Sequence, residues 1–165
     1  MDELSKSRDG KGCGDGKTGE LKLRDGKESG DKRVNELHAL VETVDELMSR
    51  CSFCDDVSAL EILHFARSEI DEIQLEVEHV IADPNDRHSR NALQTELGDL
   101  IFNALLLSAV VERDCGVDPA AAIAAVREKV RRRSPHVFGG EIATSRKEAE
   151  AFWQREKGKE NLRET

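Results

Sequence analysis

The chain has 165 residues and a formal net charge of −9, with 36% charged and only 4% aromatic side chains. This length allows one domain with a real core, and the scarcity of aromatic residues favours helices, since strands prefer aromatic and β-branched side chains. The acidic balance argues against nucleic acid as a partner, because a phosphate backbone requires a basic surface. Four cysteines without an apolar N-terminal leader predict a reduced, cytoplasmic protein.

The N-terminal part of the chain is predicted to be a tail followed by a helix. Residues 1–33 are rich in Gly, Lys and Asp and show no apolar period, so we expect a disordered tail there and an ordered domain over 34–160. Apolar residues then recur at spacings of three and four, which predicts a helix from near Val34 to near Arg50. The segment 51–56 is predicted to be a short loop.

Three further helices and one short one are predicted after this loop. The apolar periodicity indicates helices over about 58–82 and 89–113. Asp118 and Pro119 supply an N-cap and a proline at the first position of the next helix. A capping-box pattern predicts the last short helix over about 145–157. No strand pattern appears, so the predicted fold is all-α, an antiparallel bundle of four to five helices.

The helix predicted over 89–113 is unusually apolar after Asp99. From Leu100 to Val111 nearly every side of it is apolar, although this stretch is too short to span a membrane. A helix that is apolar all round must be buried centrally or shared with another subunit. One small domain can hardly cover it, so we expect oligomerisation through helices, as a homodimer or homotetramer.

Two acidic pairs, Glu69/Glu72 and Glu96/Asp99, flank Pro84. Their i,i+3 spacing places both carboxylates of a pair on one helix face, and the two pairs are symmetrical in sequence about the proline. If the chain reverses there, all four carboxylates come level, roughly 18–22 Å from the turn. One such pair alone is usually a solvated surface. Four converging carboxylates repel one another unless a cation lies between them, and oxygen-only ligands indicate Mg²⁺, with Mn²⁺ as a substitute.

Three motifs give the chain a resemblance to a known family. From about residue 34 to 159 it resembles the MazG nucleoside triphosphate pyrophosphohydrolases. The matching motifs are Glu69-x-x-Glu72 followed by Glu96-Leu97-Gly98-Asp99-Leu100, then Pro135-His136-Val137-Phe138-Gly139, and finally Trp153-x-x-x-Lys157.

The resemblance implies a Mg²⁺-dependent enzyme that converts a nucleoside triphosphate and water into the monophosphate and pyrophosphate. By matching positions, the metal ligands would be Glu69, Glu72, Glu96 and Asp99. The residues that contact or orient the triphosphate would be Asn103, Lys129, Arg133, Trp153 and Lys157. The catalytic residues would be Glu69, Glu72 and Lys157, with the two glutamates as equal candidates for the general base.

The segment 51–59 departs from the family pattern G-C-P-W-D-x-x-Q-T-H, because its Trp, Asp, Gln and His are all replaced. Base preference therefore does not follow from the resemblance. Two alternatives stay open: a narrower dCTP, dUTP or phosphoribosyl-ATP pyrophosphohydrolase, and a catalytically weak helical scaffold that keeps the acidic residues. The Cys51-x-x-Cys54 motif in this segment is a weak zinc or redox pattern without a second ligand pair, and ordinary thiols are its simpler interpretation.

Overall fold

The computed structural model describes residues 19–161, which form seven helices and no strand within that range. The prediction of an all-α fold is therefore confirmed. The helices are α1 (Gly19–Arg50), α2 (Ser52–Asp56), α3 (Ala59–Ala82), α4 (Arg87–Cys115), α5 (Pro119–Arg133), α6 (Pro135–Phe138) and α7 (Arg146–Asn161).

The chain divides into two units between Thr43 and Val44, and α1 runs through this boundary. The described part of the first unit, from Gly19 to Thr43, is helical throughout. Residues 19–33 are thus helical where a disordered tail was predicted, and residues 1–18 lie outside the described residues. The remaining boundaries of the proposed domain stay a prediction.

The core of the second unit lies where the end of α1, the connection through α2, and the helices α3 and α4 meet. Ile62 and Val110 are completely buried, and Leu47 and Phe102 pack against the same cluster. The buried apolar residues of this core are Val44, Cys54, Val57, Ile62, Leu106 and Val110.

The connection between α1 and α3 is fastened to α4 by one side chain. The segment predicted as a loop contains the one-turn helix α2, and the guanidinium of Arg113 donates to the backbone carbonyls around it. Its acceptors are the carbonyl oxygens of Cys54, Asp55 (3.3 Å) and Val57 (2.8 Å). These contacts satisfy carbonyl groups that a helix of one turn leaves without partners. The path of the connection is therefore set by backbone contacts.

A tight turn joins α3 to α4 and makes them an antiparallel pair, as the symmetrical acidic pattern predicts. Asp83 ends α3, and its side chain accepts from the Asn85 amide at 3.0 Å. Asp86 caps α4 by accepting from the amides of His88 (2.9 Å) and Ser89 (3.3 Å). These caps satisfy amides that have no partner inside the helix, so they fix where the chain reverses.

The C-terminal helices α5, α6 and α7 pack on one another. Gly116 ends α4 in the left-handed conformation with φ 65°, and Asp118 caps α5 by accepting from the Ala120 amide at 2.8 Å. Gly139 ends α6, where an added Cβ would lie only 2.8 Å from the Pro135 carbonyl oxygen. The predicted cap and proline of α5 are confirmed.

Helix α4 leaves much of its apolar surface uncovered. Among the described residues it is the one helix long and apolar enough to cross a membrane, with a mean hydropathy of 1.2 over its most apolar window, of which 17% is buried. Length and composition alone are a weak indication of a span, because core helices of soluble proteins show the same values. Leu97 and Ile101 remain 49% and 40% exposed on this helix.

Candidate active site

The antiparallel pair α3–α4 brings three predicted metal ligands together. Glu69 and Glu72 project from α3 and Glu96 from α4, and each offers a carboxylate oxygen within 4.8 Å of the others. Glu69 and Glu96 are half-buried, whereas Glu72 is exposed. We call these three residues the acidic cluster. Because their ligand atoms converge, a single cation could contact all three.

Asp99 and Asn103 extend the acidic cluster along α4. Asp99, the fourth predicted ligand, is exposed and is not one of the three converging carboxylates, but its negative charge adds to the effects of burial and of Glu72 in raising the pKa of both Glu69 and Glu96. Asn103 is 6% exposed, and its Nδ2 donates to Glu69 Oε1 at 3.4 Å. The amide thus orients one carboxylate of the cluster from inside the helix pair.

The electrostatics of the acidic cluster favour a bound cation. Burial raises the pKa of Glu69, the charges of Glu72 and Asp99 raise it further, and the hydrogen bond from Asn103 opposes this. Burial likewise raises the pKa of Glu96, again followed by the charges of Glu72 and Asp99. A divalent cation would remove this repulsion, and oxygen-only donors suit a hard ion. The residues present therefore fit a divalent metal ion.

Two further side chains, which are not among the predicted site residues, act on the acidic cluster. Ser68 Oγ donates to Glu72 Oε1 at 3.2 Å and so restrains the exposed carboxylate. Glu76, one turn further along α3, adds to the rise in the pKa of Glu96. The i,i+4 spacing of Ser68, Glu72 and Glu76 was the sequence signal that these three side chains share one face of α3.

The predicted phosphate-binding residues lie on the C-terminal helices. Arg133 and Trp153 are brought together, with the guanidinium 5.4 Å from the indole ring. Lys129 on α5 and Lys157 on α7 are both exposed. Within the part of the chain that the structure describes, no ion pair joins these cations to the acidic cluster. The acidic cluster therefore lies on α3 and α4, whereas these four residues lie on α5 and α7, and α5 packs on α4.

Arg133 already has an anionic partner. Its Nε and Nη2 donate to the two carboxylate oxygens of Glu160 at 3.2 and 2.5 Å, and Arg132 donates to the same carboxylate. Arg133, followed by Arg132, lowers the pKa of Glu160 from 4.5 to about 2. The prediction ended the last helix near residue 157 and so did not include Glu160. These hydrogen bonds hold α7 against α5. A phosphate that binds Arg133 would have to share the guanidinium with Glu160 or displace Glu160 from it.

His136, in the Pro-His-Val-Phe-Gly motif, contacts the last helix. Its ring stacks on Phe152, with centroids 5.8 Å apart and an interplanar angle of 20°. Its Nδ1 is buried without a hydrogen-bond partner in the described part of the chain. The contact with Phe152 indicates that His136 helps to hold α6 against α7.

The helix pair and its acidic cluster define a class of all-α proteins that can hold a metal ion between facing carboxylates. A family model of the MazG nucleotide pyrophosphohydrolase domain matches residues 58–138, which include the acidic cluster and α5. The crystal structure of a MazG-related protein from Thermotoga maritima is 34% identical, with a TM-score of 0.62, covering 73% of this chain and 98% of that one. The chain belongs to the MazG family.

Curated relatives extend this similarity to longer proteins. A nucleoside triphosphate pyrophosphohydrolase of Escherichia coli strain K12 is 31% identical over 86 residues, which are 52% of this chain and 33% of the relative. An uncharacterized 26.1 kDa protein of Streptomyces cacaoi is 25% identical over 130 residues, 76% of this chain and 50% of the relative. The chain thus spans between a third and a half of the length of these relatives.

Proposed function

We propose that this protein hydrolyses nucleoside triphosphates to the monophosphate and pyrophosphate at the acidic cluster, with Mg²⁺ as the cofactor and Mn²⁺ as a substitute. One observation supports this proposal above all others: Glu69, Glu72 and Glu96 present oxygens within 4.8 Å of one another across two helices. A helical scaffold would gain no stability from carboxylates held together without a cation, since like charges at this separation repel.

The residues of the acidic cluster would hold the metal ion together with Asp99. Bound Mg²⁺ supplies Lewis-acid stabilisation of the negative charge that develops on the phosphate oxygens. Glu69 or Glu72 accepts the proton of the attacking water, whichever carboxylate is less engaged with the cation. Asn103 keeps Glu69 in one orientation through its Nδ2 hydrogen bond. These roles require all four carboxylates to face the same substrate.

The cationic side chains of the C-terminal helices complete the proposed site by binding the triphosphate. Lys129 and Arg133 have i,i+4 spacing on α5, and Trp153 and Lys157 have the same spacing on α7, so each pair shares a helix face. A guanidinium and an ammonium suit phosphate oxygens. Lys157 is the cation that we place nearest the reaction.

A nucleotide panel with product identification tests the proposed activity. With Mg²⁺, we expect at least one nucleoside triphosphate to yield its monophosphate and pyrophosphate in equal amounts, resolved by ion-exchange chromatography. Glu96→Ala should lower the rate at least about 100-fold, because changes to groups that merely support metal ligands already lower affinity or activity 10–100-fold.

The same panel is run on a matched control variant, and its outcome distinguishes the alternative functions. Glu112→Ala removes an exposed carboxylate from the same helix and should leave the rate unchanged. Turnover restricted to dCTP, dUTP or phosphoribosyl-ATP would establish the narrower enzyme. Equal background rates in wild type and Glu96→Ala would refute hydrolysis at this site and favour the scaffold.

We also propose that the protein is a homodimer or homotetramer. Leu97 and Ile101 form an exposed apolar stripe one turn apart on α4, and apolar residues of α5 such as Ile123 are 63% exposed. Exposed apolar side chains that gather into a large patch typically mark an interface. Sedimentation velocity should show a dimer or larger species, and Ile101→Glu should shift it toward monomer. A monomeric wild type at micromolar concentration would contradict this proposal.

We place the protein in the cytoplasm, where nucleoside triphosphates are made and used. The described cysteines, Cys51, Cys54 and Cys115, are all free thiols, which is typical of a reducing compartment. Fractionation of the native cells should recover the protein with cytoplasmic enzymes.

A further inference from the structure

Two cysteines that the proposed hydrolysis does not use lie on the same helical turn. Cys51 is the N-cap of α2 and Cys54 is its third residue. The Asp55 amide donates to the Cys51 carbonyl oxygen at 3.2 Å, which closes this turn. Residues three apart on a helical turn have Cα atoms about 5 Å apart, which lies within the range of about 4.4–6.8 Å that a disulfide spans.

The environments of the two thiols differ in a way that suits thiol–disulfide exchange. Cys51 is half-buried and can be reached from solvent, whereas Cys54 is 2% exposed within the core. The backbone amide of Cys54, followed by that of Phe53, lowers the pKa of Cys51, although its side chain makes no regular capping hydrogen bond. Burial raises the pKa of Cys54. Cys51 is therefore the better nucleophile, and Cys54 is protected from reagents in solution.

The surrounding structure holds this turn in place. Arg113 of α4 donates to the carbonyl oxygens of Cys54 and Val57, and Cys54 packs with Val57 and Ile62 in the core. The backbone of the pair is thus restrained while the thiols stay free. A restrained pair at this spacing favours closure of an internal disulfide over reaction with a second molecule.

We propose that Cys51 and Cys54 form a redox-active dithiol, which a small-molecule disulfide of the glutathione class oxidises to an internal disulfide. The Cys51 thiolate attacks one sulfur of the small disulfide, forms a mixed disulfide and releases one small thiolate. The Cys54 thiol then gives its proton to that thiolate, and its sulfur attacks Cys51 Sγ and displaces the second small thiolate, which takes up the proton that Cys51 lost to water on ionising. Two protein thiols are oxidised and one small disulfide is reduced to two thiols.

The test is oxidation of the full chain by glutathione disulfide in excess over glutathione, followed by alkylation and peptide mass spectrometry. In a Cys13→Ser/Cys115→Ser background, the peptide with both cysteines should lose two hydrogens and take up no alkylating agent. Reduction with a dithiol should restore two alkylation sites. The unsubstituted chain should give the same internal disulfide, which shows that the background has not created it.

Two single variants separate the roles of the thiols. In the same background, Cys54→Ser should stop at one glutathione attached to Cys51, and Cys51→Ser should leave Cys54 unmodified in the folded protein, as verified by circular dichroism. Persistence of both free thiols in oxidised glutathione would overturn the proposal. Stable glutathione on Cys51 with Cys54 still free, or zinc that copurifies with the pair and protects it, would overturn it equally.

Discussion

Replacing Glu96 by Gln should nearly abolish metal-dependent turnover and, in the metal-free protein at neutral pH, raise the melting temperature. Burial and the charges of Glu72 and Asp99 raise the pKa of Glu96 above its ordinary value. Since the native state then binds more protons than the unfolded state, the contribution of Glu96 to stability falls as pH rises through the raised pKa. Glutamine is neutral and nearly isosteric, so it removes this repulsion together with a metal ligand.

Thermal melts at pH 5 and pH 7, with a chelator or with Mg²⁺, measure how the substitution changes stability in the absence and presence of the metal ion. Without metal, the melting temperature of the variant relative to that of wild type should be higher at pH 7 than at pH 5. Mg²⁺ at 100 times its dissociation constant should stabilise wild type by about 2.7 kcal/mol, and the variant by clearly less. Glu112→Gln replaces an exposed carboxylate on the same helix and should leave the melting temperature equal to that of wild type under every condition. A variant less stable than wild type in chelator would contradict the repulsion on which the metal assignment depends.

Ile62→Ala should lower the free energy of unfolding by about 2–5 kcal/mol. Ile62 is completely buried, in the core that joins α3 to α4 and to the end of α1. Truncation removes apolar contacts and leaves a cavity, which the surrounding helices can fill only in part. Urea unfolding monitored by circular dichroism measures the change.

The matched control for this core variant is Ile81→Ala on the same helix. Ile81 is 73% exposed near the turn, so its truncation should change the unfolding free energy by no more than about 0.5 kcal/mol. Similar effects at both positions would show that burial in the core around Ile62 does not determine how much each side chain contributes to stability.

Most helices of this chain could be predicted because their ends have strong local signals. Asp118 and Pro119 mark the start of α5, and Ser58 and Glu61 form a capping box at the start of α3. The start of α1 was missed because residues 19–33 have no apolar period. Extending an existing helix costs little per residue, and Lys, Glu and Arg tolerate it well, so charged sequence can continue a helix that apolar residues begin.

The symmetrical spacing of the acidic residues about the turn predicted that they approach one another. It did not predict which side chains would form hydrogen bonds with them. The hydrogen bonds of Ser68 to Glu72 and of Asn103 to Glu69 depend on rotamers that packing selects. The fork of Arg132 and Arg133 on Glu160 joins residues far apart in sequence, so no local pattern could indicate it. Helical spacing therefore predicts which side chains share a face, while tertiary packing decides which of them touch.

The anchoring of the α1–α3 connection by Arg113 has a consequence for protein engineering. The guanidinium binds carbonyl oxygens, which every amino acid possesses, so its contacts do not depend on exposed side chains such as Phe53, whereas Cys54 and Val57 are fixed by the core. Its exposed positions can therefore be substituted while the path of the backbone is kept. This freedom makes the exposed positions of the segment a natural place for directed randomisation.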